Sequence, residues 1–179
     1  MVAFSFRMSA PSAGEVNRTH PATIEPALND ATNPATFYGE AVLYNGTAND
    51  VRAPLASDTA VTHIDGIIVR PYPQQAPSAP QPYGGTGTVA APFGYAGTPP
   101  AGAPVDVLKA GYISVPVVGT PNKGGAVFVW IAASAAPHVQ GGFEAAATGG
   151  STIALETDGR TYYNGPTDAN GIGELCFNV

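Results

Sequence analysis

Ala110-Gly111-Tyr112-Ile113-Ser114-Val115-Pro116-Val117-Val118 decides how this chain is read. Tyr112, Ser114 and Pro116 alternate with Ile113, Val115 and Val117, the period of two that marks a β-strand. Pro116 inside the run places that strand at an edge or a bulge, because proline brings no N–H to a ladder. The turn Pro121-Asn122-Lys123-Gly124-Gly125 follows, and then Ala126-Val127-Phe128-Val129-Trp130-Ile131, the most apolar stretch. Its continuous hydrophobicity predicts a central strand buried on both faces.

Outward from this pair the pattern persists. Towards the C-terminus come Gly141-Gly142-Phe143-Glu144-Ala145-Ala146, Thr152-Ile153-Ala154-Leu155 and Arg160-Thr161-Tyr162-Tyr163. The turn-rich stretch from Asn164 to Gly171 then leads to Ile172-Gly173-Glu174-Leu175-Cys176-Phe177-Asn178-Val179, a β-rich segment expected to pair in a sheet. Towards the N-terminus, Val61 to Arg70 is β-rich, with Gly66 marking a bulge or a close approach of another backbone. Val51-Arg52-Ala53 reads as a short partner strand. Phe37-Tyr38-Gly39-Glu40-Ala41-Val42-Leu43-Tyr44 is a strand ended by the turn dipeptide Asn45-Gly46. Short strands punctuated at short intervals predict an all-β fold, an antiparallel β-sandwich or barrel of jelly-roll type. Residues 37–179 form its single β domain.

Two segments depart from this pattern. Residues 71–105 hold nine prolines, six glycines and no charge, so they predict a long polyproline II or irregular loop. A linker is one reading, but linkers are usually more polar, and long loops within compact domains tend to be functional or disordered. Tyr72, Tyr83, Phe93 and Tyr95, spaced along a stiff uncharged backbone, suit a contact surface better than a tether. Residues 1–36 show neither period and contain Pro11, Pro21, Pro26 and Pro34. They read either as a loose terminus or as an extended arm that becomes ordered along a neighbouring subunit.

The 179 residues suffice for one domain, and the 44% hydrophobic fraction for a sizeable core. Charged residues are only 11%, against about 25% in ordinary soluble domains. So sparse a polar surface predicts that much of the exterior faces protein. The net charge of −6 and the absence of any Lys/Arg cluster argue against nucleic acid as a partner, since that binding draws on phosphate neutralisation. No apolar run approaches the ~20 residues of a membrane helix, and Met1 to Arg7 lacks the apolar core of a secretory signal. Cys176 is the single cysteine, which fits folding in a reducing cytoplasm. Asn17-Arg18-Thr19 and Asn45-Gly46-Thr47 are sequons, read as unglycosylated without a signal peptide.

No motif indicates catalysis. His20, His63 and His138 have no second ligand at a metal spacing, and the pair His63 and Asp65 reads as solvated. Gly84-Gly85-Thr86-Gly87-Thr88 has neither the lysine nor the helix of a phosphate cradle. No Gly-x-Ser-x-Gly elbow occurs. Glu40, Glu144, Glu156 and Glu174 are scattered carboxylates, each expected at the solvated surface. Cys176, between Leu175 and Phe177, should point opposite to both and fill a gap. Neither a cofactor nor a metal is expected, and the chain is read as a non-enzyme.

The order of these features resembles the phage structural cement proteins of the Gp24-like kind, which decorate capsids built from the HK97-type shell protein. Phe37 to Val42 is similar to the family's opening strand, and Asp65-Gly66-Ile67-Ile68 to its next block. Ala110 to Val117 and Gly124 to Trp130 resemble its paired valine-rich strands. Gly141 to Ala145 and Gly171 to Val179 resemble its glycine-led and closing strands. The likeness covers roughly residues 36–70 and 106–179. It implies a virion protein, made in the host cytoplasm, that binds the outer surface of the major capsid protein shell. It also implies a small homo-oligomer, a trimer before a dimer, with no nucleic acid or membrane partner. Trp130 on its apolar strand is expected to help join subunits, and either the arm over 1–36 or the 71–105 loop, with Tyr72, Tyr83, Phe93 and Tyr95, to meet the shell. A carbohydrate- or receptor-binding β module, with Tyr72, Tyr83 and Tyr95 stacking on sugars, is the alternative.

Overall fold

The computed structural model describes residues 12–18, 21–46, 49–60, 63–71, 98–155 and 159–179. Among these residues ten strands follow in chain order: β1 (Thr23–Asn29), β2 (Ala41–Tyr44), β3 (Asp50–Arg52), β4 (Gly66–Ile68), β5 (Pro104–Val118), β6 (Phe128–Trp130), β7 (Phe143–Glu144), β8 (Thr152–Ala154), β9 (Tyr162–Tyr163) and β10 (Ile172–Phe177). A single 3₁₀ turn at Gly149–Ser151 is the only helical element among the described residues. The fold is all-β, as the alternation requires.

β5 organises the molecule. Its first half belongs to a closed five-stranded barrel, β1-β3-β2-β4-β5, in which β5 pairs again with β1. Its second half pairs with β10, which carries β9, and with β7, which leads to β6 and β8. The change of partners falls at Gly111, where φ is +143° and an added Cβ would lie 3.0 Å from the Pro21 carbonyl oxygen. Only glycine fits so close a crossing. Pairing is mainly antiparallel, but β1–β3 and β5–β7 run parallel.

Two cores lie on opposite sides of the same strands, because successive side chains alternate between faces. Ala27, Val51, Val42, Ile68, Val105 and Val107, drawn from all five barrel strands, fill the barrel interior. Ala41, Leu43, Ile67 and Leu108 face the other way and join Ile113, Val115, Val129, Phe143, Tyr163 and Leu175 in the larger core beneath the second sheet. Each fully buried valine or isoleucine contributes about 1.5–3 kcal/mol.

The expected arm over 1–36 is corrected in its described part. Val16 bridges Ile113, and β1 pairs with β5 from Thr23↔Ala110 to Leu28↔Pro104. The segment thus runs along its own chain's longest strand. Its period is hidden in the sequence because the inward row is small or polar, Ala27 and Asn29, while the outward row is Ile24, Pro26 and Leu28. Pro26 is tolerated because its carbonyl, and so its missing N–H, points away from β5 towards the Asn49 side chain, 2.9 Å off. Pro116 follows the same logic. The even-numbered backbone groups of β5 bond Gly14–Asn17 up to Ser114 and Ala145 at Val118, so Pro116 occupies the gap between those partners. β5 also starts at Pro104, inside the region expected to be irregular, and runs unbroken to Val118. Gly66 is a close approach: an added Cβ would lie 2.2 Å from Val107 Cγ1.

Candidate functional site

The gap beside Pro116 opens into a groove of about 510 Å³ between the barrel and the second sheet. Pro116, Val117 and Val118 of β5 and Phe143 of β7 line it. One wall is the Phe37–Tyr38 turn that leads into β2. The other is the 137–142 loop, which contributes Pro137, Val139 and Gly142. The first wall is fixed by two glycines passing back to back. Gly14 (φ +82°) and Gly39 (φ +83°) approach so closely that a Cβ on Gly14 would sit 2.6 Å from Tyr38 Cβ.

The charged groups of the groove are engaged within the chain. Arg70 Nε donates to the Ala13 carbonyl at 2.9 Å, and its guanidinium lies 5.3 Å from the Tyr38 ring centre. Glu144 is buried, with Oε1 2.8 Å from His138 Nδ1. The His138 ring in turn stacks on Trp130 at 4.1 Å and 11°. The Tyr163 hydroxyl donates to the Glu144 carbonyl at 2.8 Å, and burial drives its pKa well above the usual phenol range. What the groove offers a partner is therefore mostly apolar wall. Val139, 43% exposed, stands at its rim.

Behind the Phe37 wall lies a smaller polar cavity of about 130 Å³ that holds Glu40. Glu40 is 1% exposed. Its Oε2 accepts from the Thr36 N–H at 2.5 Å, the Phe37 N–H at 3.1 Å and the Thr36 hydroxyl at 3.3 Å. Desolvation outweighs these donors and raises the carboxyl pKa to about 8. The expectation of solvated carboxylates is thus corrected for Glu40 and Glu144. Glu174 is half-buried: it accepts from Arg18 at 3.0 Å, from Asn17 at 3.1 Å and from Asn164. Single acids between apolar neighbours carry no sequence signal of burial, since only the folded loops enclose them.

Of the residues expected to make contacts, Tyr72, Tyr83, Phe93 and Tyr95 lie outside the described residues, as do His20 and Glu156. Trp130 is buried in its own chain, its ring face covered by His138 and its Nε1–H donating to the Ala133 carbonyl at 3.3 Å. Sequence reading missed the groove. Its lining comes from six separate stretches, and no spacing connects them. His63 is exposed, and among the described residues no group of three potential metal ligands gathers. Cys176 is buried, pointing away from the core that takes Leu175 and Phe177.

Among curated proteins no relative is found. Three solved chains match. One, from a structure described as the capsid of Myoviridae Phage XM1, matches with a TM-score of 0.62 over 98% of this chain and 95% of that one. At 16% identity the likeness is one of fold. A family model described as XM1 gp53 minor capsid protein matches residues 1–175. The expected association with a phage capsid therefore stands, and so does a structural role in the virion. On this match across nearly its whole length, the chain belongs to the XM1 gp53 minor capsid protein family.

Proposed function

We propose that the chain is a capsid cement protein that binds the outer surface of the major capsid protein shell of its phage. It acts as a small homo-oligomer, a trimer before a dimer, and holds the shell against the pressure of packed DNA. The observation that carries this reading is the open apolar groove whose own charged groups are already engaged. Such a groove suits an uncharged, extended segment of the shell protein, because a charged segment would find no free counter-charge and would lose its hydration. No chemistry is needed. Contact area and several attachment points suffice, since joining weak sites in one oligomer raises avidity by ~10²–10⁴.

Val139→Glu tests the contact, since it places a charge on the exposed rim without touching either core. Purified wild type should cosediment with capsids stripped of this protein and raise the temperature at which they release DNA. The variant should fold normally, by circular dichroism, and bind at least tenfold more weakly. Unchanged binding by the variant would remove the groove from the contact. Wild type that ignores the stripped capsid would remove the cement reading itself.

A further inference from the structure

We infer that Glu40 is a pH-sensitive pin: its neutral carboxyl holds the two walls of the groove together, and its ionisation releases them. The inference concerns the free protein and stands apart from what occupies the groove.

The geometry puts Glu40 between the walls. On one side its Oε2 gathers the backbone N–H groups of Thr36 and Phe37, and Phe37 lines the groove. On the other its side chain presses against Gly141, where an added Cβ would lie 2.6 Å from both Cγ and Oε1. The neighbouring Ala41 N–H donates to the Gly141 carbonyl at 3.0 Å. Gly141 follows Gln140, whose side chain crosses to the Pro54 carbonyl at 2.7 Å, and precedes Gly142 of the opposite wall.

Among the described residues no other titratable side chain lines the cavity, whose remaining walls are Asn33, Pro34, Ala53, Leu55, Ser134 and Gln140. The charged groups on the enclosing elements are committed elsewhere. Asp30 accepts from Thr32, Asn33 and Asn45, Arg52 pairs with Asp58, and His138 pairs with Glu144. The three donors on Oε2 favour the ionised form, but no cation among the described residues faces Glu40, and burial outweighs them in favour of the neutral acid.

The sign follows from linkage. The folded carboxyl titrates at about 8 against an ordinary 4.5. Between those values the folded state holds a proton that the unfolded chain has lost, so stability falls as pH rises. This stabilisation is complete below 4.5 and gone above 8. Within that window the folding equilibrium constant drops by up to about tenfold per pH unit.

Urea denaturation of wild type and Glu40→Gln from pH 4 to pH 9 tests this. Wild type should lose stability steadily across the window, and the neutral amide should abolish most of that slope. Equal slopes in the two proteins overturn the inference. Should the variant not fold, wild type alone decides. Its Glu40 carboxyl carbon, followed by NMR, should titrate well above the ordinary range, and the Ala41 amide should lose hydrogen-exchange protection in step. A Glu40 titration near 4.5, or protection at Ala41 that does not change with it, overturns the pin.

Discussion

At the scale of single residues, this fold is sensitive to small volumes where backbones cross. Gly66 in β4 lies against β5, where an added Cβ would meet Val107 Cγ1 at 2.2 Å and the Leu108 carbonyl oxygen at 2.8 Å. The side-chain atom could move, but the carbonyl belongs to a ladder that pairs Ile67 with Leu108. Gly66→Ala should therefore cost about 1–3 kcal/mol, the range of overpacking in a closed core. Gly165, with nothing within 4 Å of its added Cβ, is the control, and Gly165→Ala should stay within about 0.5 kcal/mol. Chemical denaturation of both variants checks the pair. A neutral Gly66→Ala would mean that β4 and β5 are less tightly apposed than the geometry states.

At the scale of elements, the ends of strands matter as much as their middles. Asn29 closes β1 and is fully buried. Its side chain donates to the carbonyls of Ala35 and Pro100, both at 3.1 Å, and accepts from the Ala35 N–H at 2.9 Å. One side chain thus ties the chain before β2 to the chain before β5. Asn29→Ala strands buried backbone groups on both and should destabilise by about 3 kcal/mol. It should also remove hydrogen-exchange protection at Ala35. The case shows what was legible in sequence. Strands with an apolar inward row, such as β5 and β10, could be read from their alternation. β1 could not: its inward positions are Ala27 and Asn29, and its outward ones include two exposed aliphatics, Ile24 at 43% and Leu28 at 40%. Asn29-Asp30 has the composition of a turn, because Asn is common there, whereas the burial of Asn29 depends on the Pro100 loop, 71 residues away. The groove was illegible for the same reason: chain segments distant in sequence build it.

At the scale of the whole molecule, the question is how much of residues 71–105 the folded body needs. The body keeps the end of that stretch. Pro99 is buried, the Pro100 carbonyl accepts from Asn29, the Ala103 carbonyl accepts from the Asn29 N–H at 2.9 Å, and Pro104 opens β5. A deletion reaching into 98–103 would therefore damage the barrel as well as the loop, and could not separate folding from binding. Removing 76–97 alone leaves those anchors and also shortens the connection, which lowers the entropy cost of closing it by about 1 kcal/mol or less. The shortened protein should denature at the same urea concentration as the parent or slightly above it. If the uncharged, aromatic-bearing stretch helps to hold the shell, as its composition suggests, the protein should be retained less well on capsids. Loss of stability would mean that the barrel leans on residues within 76–97. Retained stability with undiminished capsid binding would leave shell attachment to the groove, where Val139→Glu examines it separately.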